Sequence, residues 1–478
     1  MIAAAEGIVA RIVSGSHLKY LGLTLVLAWH YCLWFAQGSF PTTFLLDDRI
    51  TFAWLIALAS TGLTVTVLAI LLGRTRHLPQ RAVFGWAVCL TGGASTAVLT
   101  MVPVSAALDY VVSAVIGGSA GLLWVMWGER YARQRAKFTI TRLAPTYGVT
   151  LLIGLAWAYL MPGYLPPVLV CLLPIASGVL WQASWRHAPV QAFPPVLPAR
   201  LARQGYLCIA TVSLISFVTV YISYFVVAIV PWTDLWGIER SFVLGVALGA
   251  VFVLALAAAH RVSPSRSTVF RLFPWLVFLI VIACLLCALG IRLDFVAFLL
   301  ALAVSSLFEL LFILYMARLT LSGYIPAAVA FGLSAATIRL GIALGNGTAL
   351  IYERVPGLLD HWTTPTLMVF AAILAGLLIP LVRQEYTIND LARSPQDSSE
   401  WERIVVRTAE EFRLSSREQE IMGLLGRGYS GASIAEKTCH FPPHRQQSRP
   451  THLRQNGHPQ ALGTARLPAQ ALKGTVRA

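Results

Sequence analysis

The sequence predicts an all-α protein, a polytopic membrane bundle of about twelve helices in two sets of six, with a small soluble helical segment behind it. Three observations predict this. Hydrophobic residues make up 57% of the chain and charged residues only 12%, with a mean hydropathy of +0.71; a soluble protein carries about 25% charged residues. Apolar runs near the length that crosses a bilayer recur about twelve times. The charges in the connections between those runs alternate in sign along the chain.

Taken in order, the runs are Tyr20–Phe35, Ile50–Leu72, Val83–Val102, Leu108–Trp127, Tyr147–Met161, Leu165–Trp181, Tyr206–Val230, Ser241–Ala259, Phe273–Leu289, Phe295–Met316, Tyr324–Ile351 and Leu367–Val382. The fifth is short and framed by Pro145 and Pro162. Arg11 and Lys19 precede the first run, and basic residues follow every even one: Arg74, Arg76 and Arg81; Arg130, Arg133, Arg135, Lys137 and Arg142; Arg186, Arg200 and Arg203; Arg261, Arg266 and Arg271; Arg318; Arg383. The opposite connections hold Asp47, Asp48, Asp109, Asp234, Glu239, Asp294, Glu353 and Asp360. Basic connections stay in the cytoplasm, so this pattern predicts a multi-pass cytoplasmic-membrane protein with both termini inside. The net charge of +15 suits an anionic lipid face, or nucleic acid.

The connection Arg186–Arg203, RHAPVQAFPPVLPARLAR, is long, basic and proline-rich, and divides residues 1–185 from 204–383. That layout resembles the major facilitator superfamily, which implies two six-helix bundles joined by a cytoplasmic loop, and transport activity. The loop Gly73-Arg74-Thr75-Arg76 has the superfamily's basic character but lacks its acidic residue.

Ionisable residues inside a membrane are costly, so each is a candidate site. Glu309 lies in the tenth run and Arg339 in the eleventh; they can pair with each other, or Arg339 can take a ligand carboxylate. His30, beside Trp29, reads as helix packing or as a sensor. Asn346, between Gly345 and Gly347, marks a place where the eleventh helix could unwind near a cavity. Trp29, Trp34, Trp124 and Trp127 read as interfacial anchors. Six of the seven cysteines (Cys32, Cys89, Cys171, Cys208, Cys284 and Cys287) lie in apolar runs, and Cys439 is outside them. The Cys284–Cys287 spacing sits inside an apolar helix, where packing is expected rather than metal or redox chemistry. No phosphate loop, metal cluster or catalytic triad is read from the soluble segments, so no cofactor and no enzymatic activity are expected.

Past Arg383 the chain turns polar, and residues 384–412 read as a linker. In Leu414–Lys437, Ser415 and Glu418 form a capping box, Ile421, Leu424 and Leu425 an apolar face, and Gly428 a helix stop. Ser430 caps a second helix that buries Ile434 and Ala435. With Arg417 and Glu420, this order resembles the front half of a LuxR-type helix-turn-helix. From the family, the resemblance implies DNA binding through a third helix, and homodimers. The chain after Lys437 departs from the family, with five prolines and no acidic residue after Glu436. Read one nucleotide out of frame, its degenerate codons permit a LuxR-type recognition helix, so a frameshift near residues 437 and 438 is expected. The function expected is a membrane-bound transcriptional regulator whose bundle senses a small molecule and whose cytoplasmic helix-turn-helix binds DNA, that binding being lost in the tail as written; the alternative is a major-facilitator-like secondary transporter with an incidental tail.

Overall fold

The computed structural model describes residues 18–35, 48–73, 77–79, 81–103, 105–134, 136–187, 193, 203–229, 238–262, 269–289, 293–392, 405–426 and 434. They belong to two compact units, Met1–Ser399 and Glu400–Ala478.

The first unit is all-α. Its long helices are α1 (Leu21–Phe35), α2 (Asp48–Leu72), α3 (Ala82–Met101), α4 (Ala106–Arg133), α5 (Ile140–Leu160), α6 (Leu165–His187), α7 (Arg203–Ile229), α8 (Ile238–Val262), α9 (Leu272–Ala288), α10 (Asp294–Leu321), α11 (Ala327–Arg354) and α12 (Leu358–Arg383). Eleven of them, α2 to α12, are long and apolar enough to cross a membrane. The 3-10 turn Leu18–Tyr20 leads into α1, which follows the first apolar run of the sequence. The chain is a multi-pass membrane protein. Where the sequence suggests a linker after Arg383, a further short helix, α13 (Glu385–Leu391), remains within the first unit.

The packing of the helices repeats itself six elements on. The pairs α2–α4, α1–α5, α3–α6, α3–α4 and α1–α6 recur as α8–α10, α7–α11, α9–α12, α9–α10 and α7–α12. Contacts between the halves include α2 with α11 and α5 with α8, each the repeat of the other, and α4 with α11. Repeats six helices long, each crossing once, would leave the chain on the same side and be parallel to each other. Small residues set the closest crossings. A Cβ on Gly117 of α4 would meet the Ala57 carbonyl of α2 at 2.2 Å, and one on Gly332 of α11 would meet the Val65 carbonyl of α2 at 2.9 Å. Close approach of this kind is how apolar helices associate when lipid offers no hydrophobic contrast.

The short fifth run is a longer helix than the sequence suggests, because Pro145 lies within α5 instead of ahead of it. A proline removes the hydrogen bond to the carbonyl four residues back, here Thr141. Arg261 of α8 donates to that freed carbonyl at 3.3 Å.

In the second unit, helical residues 405–411 close through Leu414 N–H donating to the Ala409 carbonyl at 2.9 Å, with Arg413 in the left-handed region at φ 51°. A second helix, α14 (Ser416–Gly426), follows. Its capping box is present: the Ser415 N–H and hydroxyl donate to Glu418 Oε2 at 2.8 and 2.7 Å, and the Glu418 N–H reaches Ser415 Oγ at 3.4 Å. These bonds, the hydroxyl's first, hold the Glu418 carboxyl below its usual range.

Candidate site at the centre of the bundle

Glu309 lies near the middle of α10, and Arg339 lies on the neighbouring α11. The two are 2% and 3% exposed. Arg339 Nη2 donates to Glu309 Oε1 at 2.7 Å, and Tyr31 Oη of α1 donates to Glu309 Oε2 at 2.8 Å. Both carboxylate oxygens are therefore engaged. The Arg339 guanidinium also stands 5.8 Å from the centre of the Tyr31 ring. Tyr147 of α5 and Tyr224 of α7 lie within electrostatic range of the same carboxylate. His30, one residue before Tyr31, lies within range of Arg339, and its Nε2 has no hydrogen-bond partner among the described residues.

The cluster spans the division between the halves. Tyr31 and Tyr147 come from the first six helices, and Tyr224, Glu309 and Arg339 from the second. A lone charge at this depth is expensive, and pairing with added hydrogen bonds offsets the cost only when the geometry is good. The pair has no net charge, and both of its charges are met by partners. Protonation of Glu309 would release Arg339, and an anion entering the site could take Arg339 from Glu309.

A second buried group lies at the end of α4. The sequence suggests that α4 stops at Trp127 and that Arg130 belongs to a connection. The helix instead continues to Arg133 and takes Glu129 and Arg130 to 0% exposure. The 3–4 spacing of Trp124, Trp127 and Tyr131 was the available sign of this continuation. Glu129 Oε2 accepts from the Leu78 N–H at 3.1 Å, and His77 Nδ1 is 3.4 Å from its other oxygen. Arg130 donates to Ser184 Oγ at 2.8 Å and to the Ser184 carbonyl, and stacks 4.2 Å from the centre of the Trp185 ring.

Other sequence expectations need correction. The tryptophans are not interfacial: Trp29, Trp34, Trp124 and Trp127 are 1 to 4% exposed. Three of their indoles bond to hydroxyls on other helices, Trp29 to Thr96 at 3.1 Å, Trp124 to Ser334 at 3.4 Å and Trp127 to Ser177 at 2.9 Å. An indole whose N–H is satisfied inside the bundle does not need the membrane surface. Nor does α11 unwind at Asn346. The Asn346 amide donates to the Ile342 carbonyl at 2.9 Å within a continuous helix. Gly345 is there for proximity, since a Cβ would meet the Tyr221 carbonyl at 2.3 Å.

Of the tail residues, Ser415 and Glu418 meet in the cap, and Arg417 pairs with Glu420 at 2.8 Å on the exposed side. Leu424 is half-buried and Ile434 is buried. Gly428, Ser430, Ala435 and everything past Lys437 lie outside the described residues. The expected recognition-helix positions are therefore not among them.

No family model matches the chain, and no curated protein matches it. Among solved structures it is similar to the POT-family transporter PepTSo, at 11% identity over 77% of this chain and 98% of that one, with a TM-score of 0.49. It is similar to the human organic anion transporter MFSD10 at 14% identity over 79% and 99%, with a TM-score of 0.46. It is also similar to the nucleoside transporter NupG at 14% identity over 76% and 98%, with a TM-score of 0.46. The expected membrane-bound transcriptional regulator is corrected by this finding: the solved structures named are membrane transporters.

Proposed function

We propose that the membrane unit is a secondary transporter, in which the Glu309–Arg339–Tyr31 cluster is the site that substrate or a coupling proton uses. The observation that carries this reading is the burial of a complete ion pair at the division between two repeated halves. A merely structural bundle gains little from such a pair, because well-packed apolar side chains of similar volume are as stable or more so. Alternating access needs a site that both halves share and that can be broken and re-formed. Tyr31 supplies the first half's contact to a carboxylate held by the second. The alternation of charge in the connections supports a place in the cytoplasmic membrane with both termini inside. No cofactor or enzymatic step enters this mechanism.

Reconstitution into vesicles tests the reading. Uptake of carboxylate-bearing and neutral solutes is measured with and without an imposed pH gradient. Transport driven by the gradient and lost in Glu309→Gln, with substrate exchange retained, is the expected outcome. A panel in which no solute accumulates, or in which Glu309→Gln transports like the parent, removes the site from the mechanism.

For the tail we propose only that Leu414–Lys437 is the front half of a LuxR-type helix-turn-helix and that the reading frame shifts after it. The Ser415–Glu418 cap supports a helix start at the family's position. Resequencing the end of the gene decides the matter, since a single frame running without interruption through codons 437 and 438 removes the second statement.

A further inference from the structure

Outside the central cluster, the first half holds a cavity of about 470 Å³ between α1, α5 and α6. Its walls include Leu21 and Leu25 of α1, Val149 and Ile153 of α5, and Leu169 and Leu173 of α6. Leu18 and Pro145 stand at one end, and Trp157 lines the wall farther along α5. From Pro145 to Trp157 the helix rises roughly 18 Å at 1.5 Å per residue. Val149, Ile153 and Trp157 are 45, 61 and 41% exposed, so the cavity opens sideways, toward the surface a membrane protein presents to lipid.

Three cations gather at the Leu18–Pro145 end. Lys19 follows Leu18, Arg142 precedes Pro145 by one turn of α5, and Lys137 lies in the connection before it. Among the described residues, no carboxylate forms an ion pair with any of the three. An aromatic platform fixes their backbone: Tyr20 donates to the Lys137 carbonyl, and Tyr131 donates to the Lys19 carbonyl at 3.1 Å. Tyr20, Tyr131 and Phe138 pack on one another with ring centres 5.3 to 5.6 Å apart. Burial first, then Arg142 and Lys137, holds the Lys19 ammonium below its usual pKa. The three positive charges thus crowd one another at the start of α1 and α5, beside the residues Leu18 and Pro145 of the groove's end.

We infer that the α1–α5–α6 groove binds one anionic phospholipid, with an acyl chain along Leu21, Val149 and Ile153 and its headgroup phosphate held by Lys19, Lys137 and Arg142. The apolar wall alone cannot choose among lipids, since every acyl chain already lies in hydrocarbon. Selection rests on the headgroup, where each basic residue near the surface contributes about a fivefold preference for an anionic lipid.

Native mass spectrometry of the full chain in mild detergent tests this. Phosphatidylglycerol, phosphatidylcholine of the same acyl chains, and glycerol 3-phosphate are offered in parallel. The parent protein is expected to retain phosphatidylglycerol at least about tenfold over phosphatidylcholine and not to retain glycerol phosphate. Lys19→Gln is expected to reduce that preference about fivefold, and the triple variant K19Q/K137Q/R142Q to abolish it. Val149→Trp, which fills the groove and keeps the cations, is expected to lose retained phosphatidylglycerol. Melting of each variant in the same detergent shows that it is folded, and the single Lys19→Gln variant decides if the triple one is not. Equal retention of the two lipids by the parent, an unchanged preference in Lys19→Gln, or unaltered binding in Val149→Trp overturns the inference. Retention of glycerol phosphate at the strength of the lipid also overturns it, because the groove would then contribute nothing.

Discussion

Where α1 meets α5 in the first half, Gly154 stands against the Cys32 sulfur; where α7 meets α11 in the second, Gly341 and Gly345 stand against the Phe217 and Tyr221 carbonyls. The same helix pair is built twice, once on side chain and once on backbone. Charge is divided as unevenly. The second half puts Glu309 and Arg339 at the centre, while the first answers with the neutral hydroxyls of Tyr31 and Tyr147. At the helix ends the order reverses: Glu129 and Arg130 are fully buried at the end of α4, whereas Arg318, at the end of its repeat α10, stays half-buried. Repetition fixes which helices touch, through backbone distance and crossing. Side-chain chemistry is not bound by it, so a charged centre can belong to one half and be read by the other.

The largest test of this division is to leave Glu309 alone. Arg339→Leu removes the partner and strands a carboxylate in the bundle, a change that costs about 3–5 kcal/mol for a buried pair. Melting in detergent should show a large loss of stability, with little folded protein recovered. E309Q/R339M removes both charges, so most of the stability should return while transport does not. If Arg339→Leu melts like the parent, the pair contributes nothing to stability and the uneven division of charge does not bear on folding.

How much of this was legible in the sequence depends on what each residue reveals about its surroundings. The helices, their number and their order follow from apolar length and alternating charge, because lipid forces both. Glu309 and Arg339 stand out for the same reason, as charges where charge is costly. Tyr31, Tyr147 and Tyr224 do not stand out, since a tyrosine is at home in an apolar helix, and only the fold shows that three of them face one carboxylate. Glu129 and Arg130 were hidden by the opposite error, because charge at the end of an apolar run reads as a loop until neighbouring helices are seen to cover it. The tail misleads in a further way. Its cap is correct to the atom, yet a helix start says nothing of what a helix-bearing tail does.

A middle-sized effect separates the two helix ends. Arg130 uses the fork of its guanidinium on Ser184 and its plane on Trp185. Arg318 donates to the Phe138 and Ala392 carbonyls at 2.9 and 3.3 Å, with its guanidinium 5.2 Å from the Phe270 ring centre. Lysine keeps the charge but loses the fork and the stacking plane. Arg130→Lys should cost about 2 kcal/mol, by loss of charged hydrogen bonds in a dry site, and Arg318→Lys about 1 kcal/mol. Equal shifts in melting temperature would mean that full burial at the end of α4 adds nothing to what the half-buried repeat already has.

The last difference lies in the two glycine crossings, and it tests the contrast between side-chain and backbone packing most directly. An alanine at Gly345 would place its Cβ 2.3 Å from the Tyr221 carbonyl oxygen and 3.1 Å from the Phe225 nitrogen. Those atoms belong to the α7 backbone and can yield only if the helix moves, so overpacking should cost about 1–3 kcal/mol. An alanine at Gly154 would meet the Cys32 sulfur at 2.9 Å and the Ala28 methyl at 3.6 Å. The thiol can rotate away, and the gain in helix propensity from glycine to alanine, about 1 kcal/mol, works against what strain is left. Gly154→Ala should therefore melt within a degree or two of the parent, and Gly345→Ala several degrees below it. If the order reverses, the second half's crossing is the more compliant one, and the backbone contact at Tyr221 does not set the distance between α7 and α11.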